Sequence, residues 1–169
     1  MKIGFLLLFF SFLLIIGCKN EGSNQENVKI EVITAGEKEL SELINNRNGK
    51  YLFLNIWATW CIPCVEEFPD IVKLSEKYSE KLDFASLSID YLEEKDKKVI
   101  PFLTKMNAKF SHYINGFKKD EMLINFISED WSGAVPLTLI YDSSGKQIAL
   151  LEGAHTYDEF VEKIESSTK

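Results

Sequence analysis

Cysteine is scarce in this chain, with three in 169 residues, at positions 18, 61 and 64. So few exclude a disulfide-stapled scaffold, because two cysteines separated by two residues close too short a loop to constrain a fold. Histidine is scarcer still, at 112 and 155 only, so a structural zinc site would lack its four thiolate or imidazole ligands. No metal and no cofactor are expected. Basic side chains are also short, 19 against 26 acidic ones for a formal net charge of -7, which argues against nucleic acid and against electrostatic adhesion to anionic lipid. Repeats and low-complexity tracts are lacking. What is present, 46% hydrophobic and 27% charged residues, suits one globular domain and excludes a wholly disordered or fibrous chain.

The ends of the chain differ sharply. Residues 3–17 (IGFLLLFFSFLLIIG) hold no charge and follow Lys2, whereas residues 19–27 (KNEGSNQEN) are almost entirely polar. The apolar block is short for a stable membrane span and has the flanks of an export signal. The run Leu14-Ile15-Ile16-Gly17-Cys18 resembles the lipobox of bacterial lipoproteins. That resemblance implies a signal peptide over 1–17, a lipidated Cys18 followed by a flexible tether over 18–27, and a folded domain over 28–169. Acyl chains would anchor it at about 0.8 kcal/mol per buried CH₂, on the periplasmic or other extracytoplasmic face of the cell envelope. With Cys18 taken by lipid, Cys61 and Cys64 remain as a pair present for its chemistry.

Along the domain, residues 28–33 alternate as an edge strand, and residues 37–46 place Leu40, Leu43 and Ile44 on one helical face before Asn48-Gly49. Residues 51–56 (YLFLNI) read as a strand covered on both faces. Residues 62–80 turn helical, with Val65, Phe68, Ile71, Val72 and Leu74 facing inward and Pro69 bending rather than ending the segment. Strands are expected at 82–89, 110–114, 136–141 and 147–151, the last two joined by the turn Asp142-Ser143-Ser144-Gly145. The span from Asp90 to Lys98 reads as a solvent-facing loop and helix start. Short helices are expected from Pro101 to Met106 and over 120–130, and a final helix after Thr156, with Glu159 completing a capping box. The order predicts a three-layer α/β sandwich with a mixed central sheet, an arrangement that several α/β folds share.

The chemistry concentrates in Trp57-Ala58-Thr59-Trp60-Cys61-Ile62-Pro63-Cys64. Two cysteines so spaced at the start of a helix bring their sulfurs together, and the first lies near unpaired N–H groups and the positive end of the helix dipole. Cys61 is therefore the expected attacking thiolate and Cys64 the resolving thiol. Trp57 reads as core and Trp60 as an apolar wall beside the exposed sulfur. Glu66 reads as a solvated helix carboxylate, and both histidines as surface or loop residues.

The segment Asn55 to Pro69 resembles the active-site segment of thioredoxin-like lipoproteins and membrane-tethered reductases of the TlpA/ResA type, and the likeness runs through Gly133-Ala134-Val135-Pro136 and the terminal hairpin and helix. It implies a thioredoxin-like sandwich with an N-terminal extension. It also implies a cis Pro136 facing the cysteines, with Val135 and Pro136 touching substrate; Trp60 and Pro63, beside the exposed sulfur, are further candidate substrate contacts, and Pro63, by removing a backbone donor and fixing φ, also helps set the redox potential. Glu67, three residues after Cys64, would tune the thiols or relay a proton. Asn55 agrees with that pattern and departs from cytosolic thioredoxins, which hold an aspartate there; an amide takes up no proton at neutral pH.

The function so implied is thiol-disulfide exchange through a Cys61 mixed disulfide, reducing exported proteins, with a role in cytochrome c maturation and a membrane thiol reductase as electron donor. The alternatives are a disulfide oxidase or isomerase, and a tethered protein-binding module without catalysis. Copper delivery would want a wider cysteine spacing and a histidine ligand.

Overall fold

The computed structural model describes residues 29–46 and 48–169. The expected signal peptide, lipidated Cys18 and tether lie outside them. No helix among the described residues is long and apolar enough to cross a membrane.

Six strands form one mixed sheet: β1 (Val32–Ala35), β2 (Tyr51–Trp57), β3 (Leu82–Ser88), β4 (Ser111–Asn115), β5 (Leu137–Tyr141) and β6 (Gln147–Glu152). Their order is β1-β4-β3-β2-β5-β6. The first four are mutually parallel, while β5 runs antiparallel to β2 and to β6. Parallel neighbours need crossovers, and the helices supply them. They are α1 (Glu37–Asn45), α2 (Ile62–Lys77), α3 (Ile100–Met106), α4 (Asp120–Ile127) and α5 (Tyr157–Ser167).

Strand β2 is the centre of the fold, and its alternation sorts the two cores. Leu52, Leu54 and Ile56 face one side, with Leu40 of α1 and Leu123 and Ile127 of α4. On the other side Phe53 meets Ile71, Leu74 and Phe160, and Trp57 meets Cys64, Phe68 and Leu103. Here Trp57, Phe68 and Phe102 form a ring cluster with centroids 4.7 to 5.1 Å apart. Truncating Phe68 to alanine is expected to cost about 3–5 kcal/mol, because the rings around it cannot all collapse into the void.

Most expected elements are present, with boundaries shifted. Strand β1 begins at Val32, which pairs with His112 of β4. Pro69 lies inside an unbroken α2, on the exposed side. Its ring removes one backbone donor where solvent can serve the freed carbonyl. Thr156 caps α5 as read, its hydroxyl accepting from the Glu159 N–H at 3.4 Å while the Glu159 carboxylate accepts from the Thr156 N–H at 2.7 Å.

Two expectations need correction. Asp90 is not solvent-facing but 2% exposed, and the segment after it makes a 3₁₀ turn at Leu92–Glu94 and a π turn at Lys95–Val99 before α3. His112 is a buried strand residue. Its Nε2 lies 3.0 Å from the Ala108 carbonyl, which only accepts, so Nε2 carries the proton and Nδ1 accepts from Ser86 Oγ at 2.8 Å. Burial pushes the imidazole pKa down, with the Ala108 contact opposing.

Candidate active site

The cysteines sit where β2 hands over to α2. Strand β2 stops at Trp57, a turn closed by the Cys61 N–H on the Ala58 carbonyl at 3.2 Å reverses the chain, and Cys61 becomes the N-cap of α2. Pro63, in the first turn, suits a position whose N–H has no helical partner. Cys61 and Cys64 are joined as a disulfide. The Cys64 N–H points at Cys61 Sγ, 3.3 Å away, as expected of a helix N-terminus that favours negative charge.

The two sulfurs live in different surroundings. Cys61 retains 6% exposure and Cys64 none. Around Cys61 the surface is apolar and open, with Trp60 at 58% and Ile62 at 71% exposure, and Pro63 also exposed. Opposite it runs the loop before β5, where the Val135–Pro136 bond is cis and the Val135 carbonyl lies 3.6 Å from Cys61 Sγ. Trp131 holds this loop, its indole N–H donating to the Ala134 carbonyl at 2.8 Å. Gly133 lets the loop pass: its φ is +87°, and a β-carbon there would lie 2.8 Å from Ile124 Cδ1.

On the inner side, Glu67 occupies the same buried face of α2 as Cys64, one turn on, at 5% exposure. Its Oε1 accepts from Asn55 Nδ2 at 3.1 Å and its Oε2 from the His155 N–H at 3.1 Å. The Asn55 amide also donates to Thr138 Oγ1 at 3.1 Å, its directly opposed neighbour across β2 and β5. Burial pushes the Glu67 carboxyl up to about 7 against these two donors, so it exchanges its proton near neutrality.

Among the described residues, the expected site residues therefore come together on one end of the sheet, and Cys18 lies outside the described residues. Trp57 is core as read, Glu66 is exposed as read, and His155 is a partly buried loop residue that contributes its backbone N–H. Sequence reasoning missed Trp131 and Asp90. It also missed a cleft of about 660 Å³ beside Trp60, lined among others by Asp90, Tyr91, Leu92, Phe117 and Trp131. An apolar Tyr91-Leu92 pair directly after a strand that ends beside the cysteine strand was the available signal.

The chain matches the Redoxin family over residues 27–146. It is 32% identical over 140 residues to the thiol-disulfide oxidoreductase ResA of Bacillus thuringiensis subsp. konkukian, covering 81% of this chain and 74% of that protein. The chain belongs to the ResA-like thiol-disulfide oxidoreductases. Solved structures agree on the fold. A thiol:disulfide interchange protein of the thioredoxin family from Chlorobium tepidum superposes with a TM-score of 0.61 at 19% identity, over 76% of this chain and 85% of that one. The exposed lipoprotein thioredoxin of Streptococcus pneumoniae gives 0.54 at 16% identity, over 70% and 85%.

In this oxidoreductase the Cys61–Cys64 disulfide is the redox centre. It interconverts with a dithiol by exchange with a partner's disulfide or thiols, and each cycle moves two electrons between the proteins.

Proposed function

We propose that this oxidoreductase is a lipid-anchored reductant of exported proteins. The observation that carries the reading is the unequal exposure of the two sulfurs beside an exposed tryptophan and the Val135 carbonyl. The Cys61 thiolate attacks a substrate disulfide, forming a mixed disulfide as the substrate's other sulfur leaves as a thiolate. Cys64 then attacks Cys61 Sγ, closing the protein disulfide and freeing the second substrate thiolate. Trp60 and Pro63 flank the incoming chain, and Val135 and Pro136 form the wall against which its backbone lies. Glu67, with a proton affinity near neutrality, takes the proton Cys64 must lose to attack.

A membrane thiol reductase resupplies the two electrons. The apolar block over 3–17 and the lipobox-like run that ends at Cys18 support a site in the cell envelope, held by acylated Cys18, where the cysteines of apocytochrome c are a fitting substrate class. The test is the equilibrium redox potential of the Cys61/Cys64 couple in thiol buffers. A value at or below about -250 mV is expected, near that of thioredoxin, whereas one near about -120 mV, that of DsbA, would assign the protein to disulfide formation or isomerisation.

A further inference from the structure

One buried acid ties the turn that presents Cys61 to the end of a different strand. Asp90 stands just beyond β3, and its carboxylate collects three donors. Oδ2 accepts the Thr59 N–H at 2.9 Å and the Ser88 hydroxyl at 2.6 Å, and Oδ1 accepts the Thr59 hydroxyl at 2.5 Å. The Asp90 N–H in turn donates to Ser88 Oγ at 3.0 Å, closing the loop upon itself. A parallel bond, from the Ile89 N–H to the Trp57 carbonyl at 2.8 Å, stitches the same two strand ends together. Thr59 lies two residues before Cys61 and adjoins Trp60, so both bonds to Thr59 act on the backbone that aims the outer sulfur.

The carboxylate forms no ion pair within 4 Å among the described residues. Lys98, a cation whose field reaches it, is bonded to Glu94 instead. A negative charge held by dipoles alone in a largely buried site projects further than a fully solvated one. A carboxylate at this turn opposes a second negative charge on Cys61. Because thiolate exists only in the dithiol form, whatever disfavours it favours the disulfide and makes the dithiol a better electron donor, the reverse of the stabilised reduced form that makes DsbA oxidising.

We propose that Asp90 is a positioning residue for thiol-disulfide exchange: it fixes Thr59, and with it the turn that carries Trp60, through two hydrogen bonds, one to the Thr59 N–H and one to its hydroxyl, and, by its charge, biases the Cys61/Cys64 couple toward giving electrons. The assignment concerns a shift between variants, so it is separable from the reductant reading, which depends on the absolute potential.

The experiment compares Asp90→Asn, Thr59→Val and Thr59→Ser with the parent full chain. Three quantities are read: the pH profile of Cys61 alkylation, the equilibrium constant with glutathione and the rate of insulin-disulfide reduction. Asp90→Asn keeps the shape and loses the charge. It is expected to move the alkylation profile to lower pH and the equilibrium about tenfold toward the dithiol, which corresponds to about 30 mV. Thr59→Val keeps the charge and loses one bond. It is expected to slow insulin-disulfide reduction severalfold without moving the equilibrium in that direction, and Thr59→Ser should restore the rate. A folded Asp90→Asn protein with the parent's profile and equilibrium constant overturns the proposal, as do equal equilibrium shifts in Asp90→Asn and Thr59→Val. Should Asp90→Asn not fold, Ser88→Ala withdraws one donor and leaves the acid less shielded. The alkylation profile then moves to higher pH, and an unmoved profile is fatal to the idea.

Discussion

The two flanks of one disulfide are built on opposite terms. Outside, Cys61 looks onto exposed Trp60, Ile62 and Pro63 and onto the Val135 carbonyl, and its turn is held by short bonds to Asp90, which arrives from the end of the neighbouring strand β3. Inside, Cys64 shares a dry helix face with Glu67, whose partners Asn55 and His155 come from distant parts of the chain. Both flanks contain a buried acid, yet the donors differ. Asp90 receives three, two of them hydroxyls that can rotate to meet it, and Glu67 receives two N–H groups in a pocket where burial dominates. The comparison teaches that the outer flank offers an open apolar surface, while on the inner flank burial, outweighing two N–H donors, sets a carboxyl's proton affinity near neutrality.

The sharpest break between the flanks is to remove each sulfur in turn. Cys61→Ser should abolish insulin-disulfide reduction and leave no covalent partner adduct. Cys64→Ser should also stop turnover but accumulate the mixed disulfide on Cys61, visible on a non-reducing gel. Identical adducts in both variants would erase the distinction.

Next in size is Glu67→Gln, read by pH. The folded carboxyl titrates near 7 and the unfolded one near 4.5, so between these values the folded chain holds a proton the unfolded chain has lost. Folding stability is therefore greatest below pH 4.5 as far as this group is concerned, declines as pH rises through that window, and has lost roughly 3 kcal/mol above pH 7. Glu67→Gln should remove this slope, be more stable than the parent at pH 8 in urea titrations, and lose the inflection near neutrality in the rate of exchange. His112 provides an opposite slope. Its pKa is pushed down by burial, so its stabilisation is complete above the ordinary imidazole value of 6.5 and lost on acidification, as the unfolded chain gains a proton the folded chain refuses. In the Glu67→Gln background the net trend between pH 7 and 5 should reverse sign, and a further His112→Asn change should flatten it.

Smaller effects test the contact surface. Trp60→Ala should raise KM for a protein substrate severalfold with kcat little changed, since in the proposed mechanism the exposed ring flanks the incoming chain and takes no part in the proton transfer. A change confined to kcat would move Trp60 to the inner flank. Least is Trp131→Phe, which gives up one hydrogen bond to the Ala134 carbonyl and should lower stability by about 1 kcal/mol, measured by urea denaturation, while loosening the loop opposite Cys61.

How much of this was legible beforehand depends on range. The cysteine pair, the helix start, the turn at Asp142–Gly145 and the Thr156 cap are local arrangements of neighbouring residues, and each reads correctly from its own segment. Glu67 was legible as a neighbour of Cys64 because both lie on one helix with a known period. Its bond to Asn55 follows from β2 packing its odd-numbered face on α2, which a strand apolar on both faces leaves open from sequence. The donor at His155 was not legible, since the residue 88 positions away arrives only when the loop before α5 folds over α2. Asp90 misled for the same reason: in a charged stretch it has the look of a solvated acid, and only the adjacency of the β2 and β3 ends supplies the donors that let it be buried.

The amino-acid sequence by itself determined the redox chemistry, the strand-to-helix junction that exposes one sulfur, and the α/β order, because these rest on spacing and local periodicity. The tertiary structure decided which acids are buried and what serves them, and which apolar side chains border a cleft. The physical reason is that desolvation and hydrogen-bond supply are properties of what packs around a group, and for Glu67, Asp90 and His112 most of that comes from other parts of the chain.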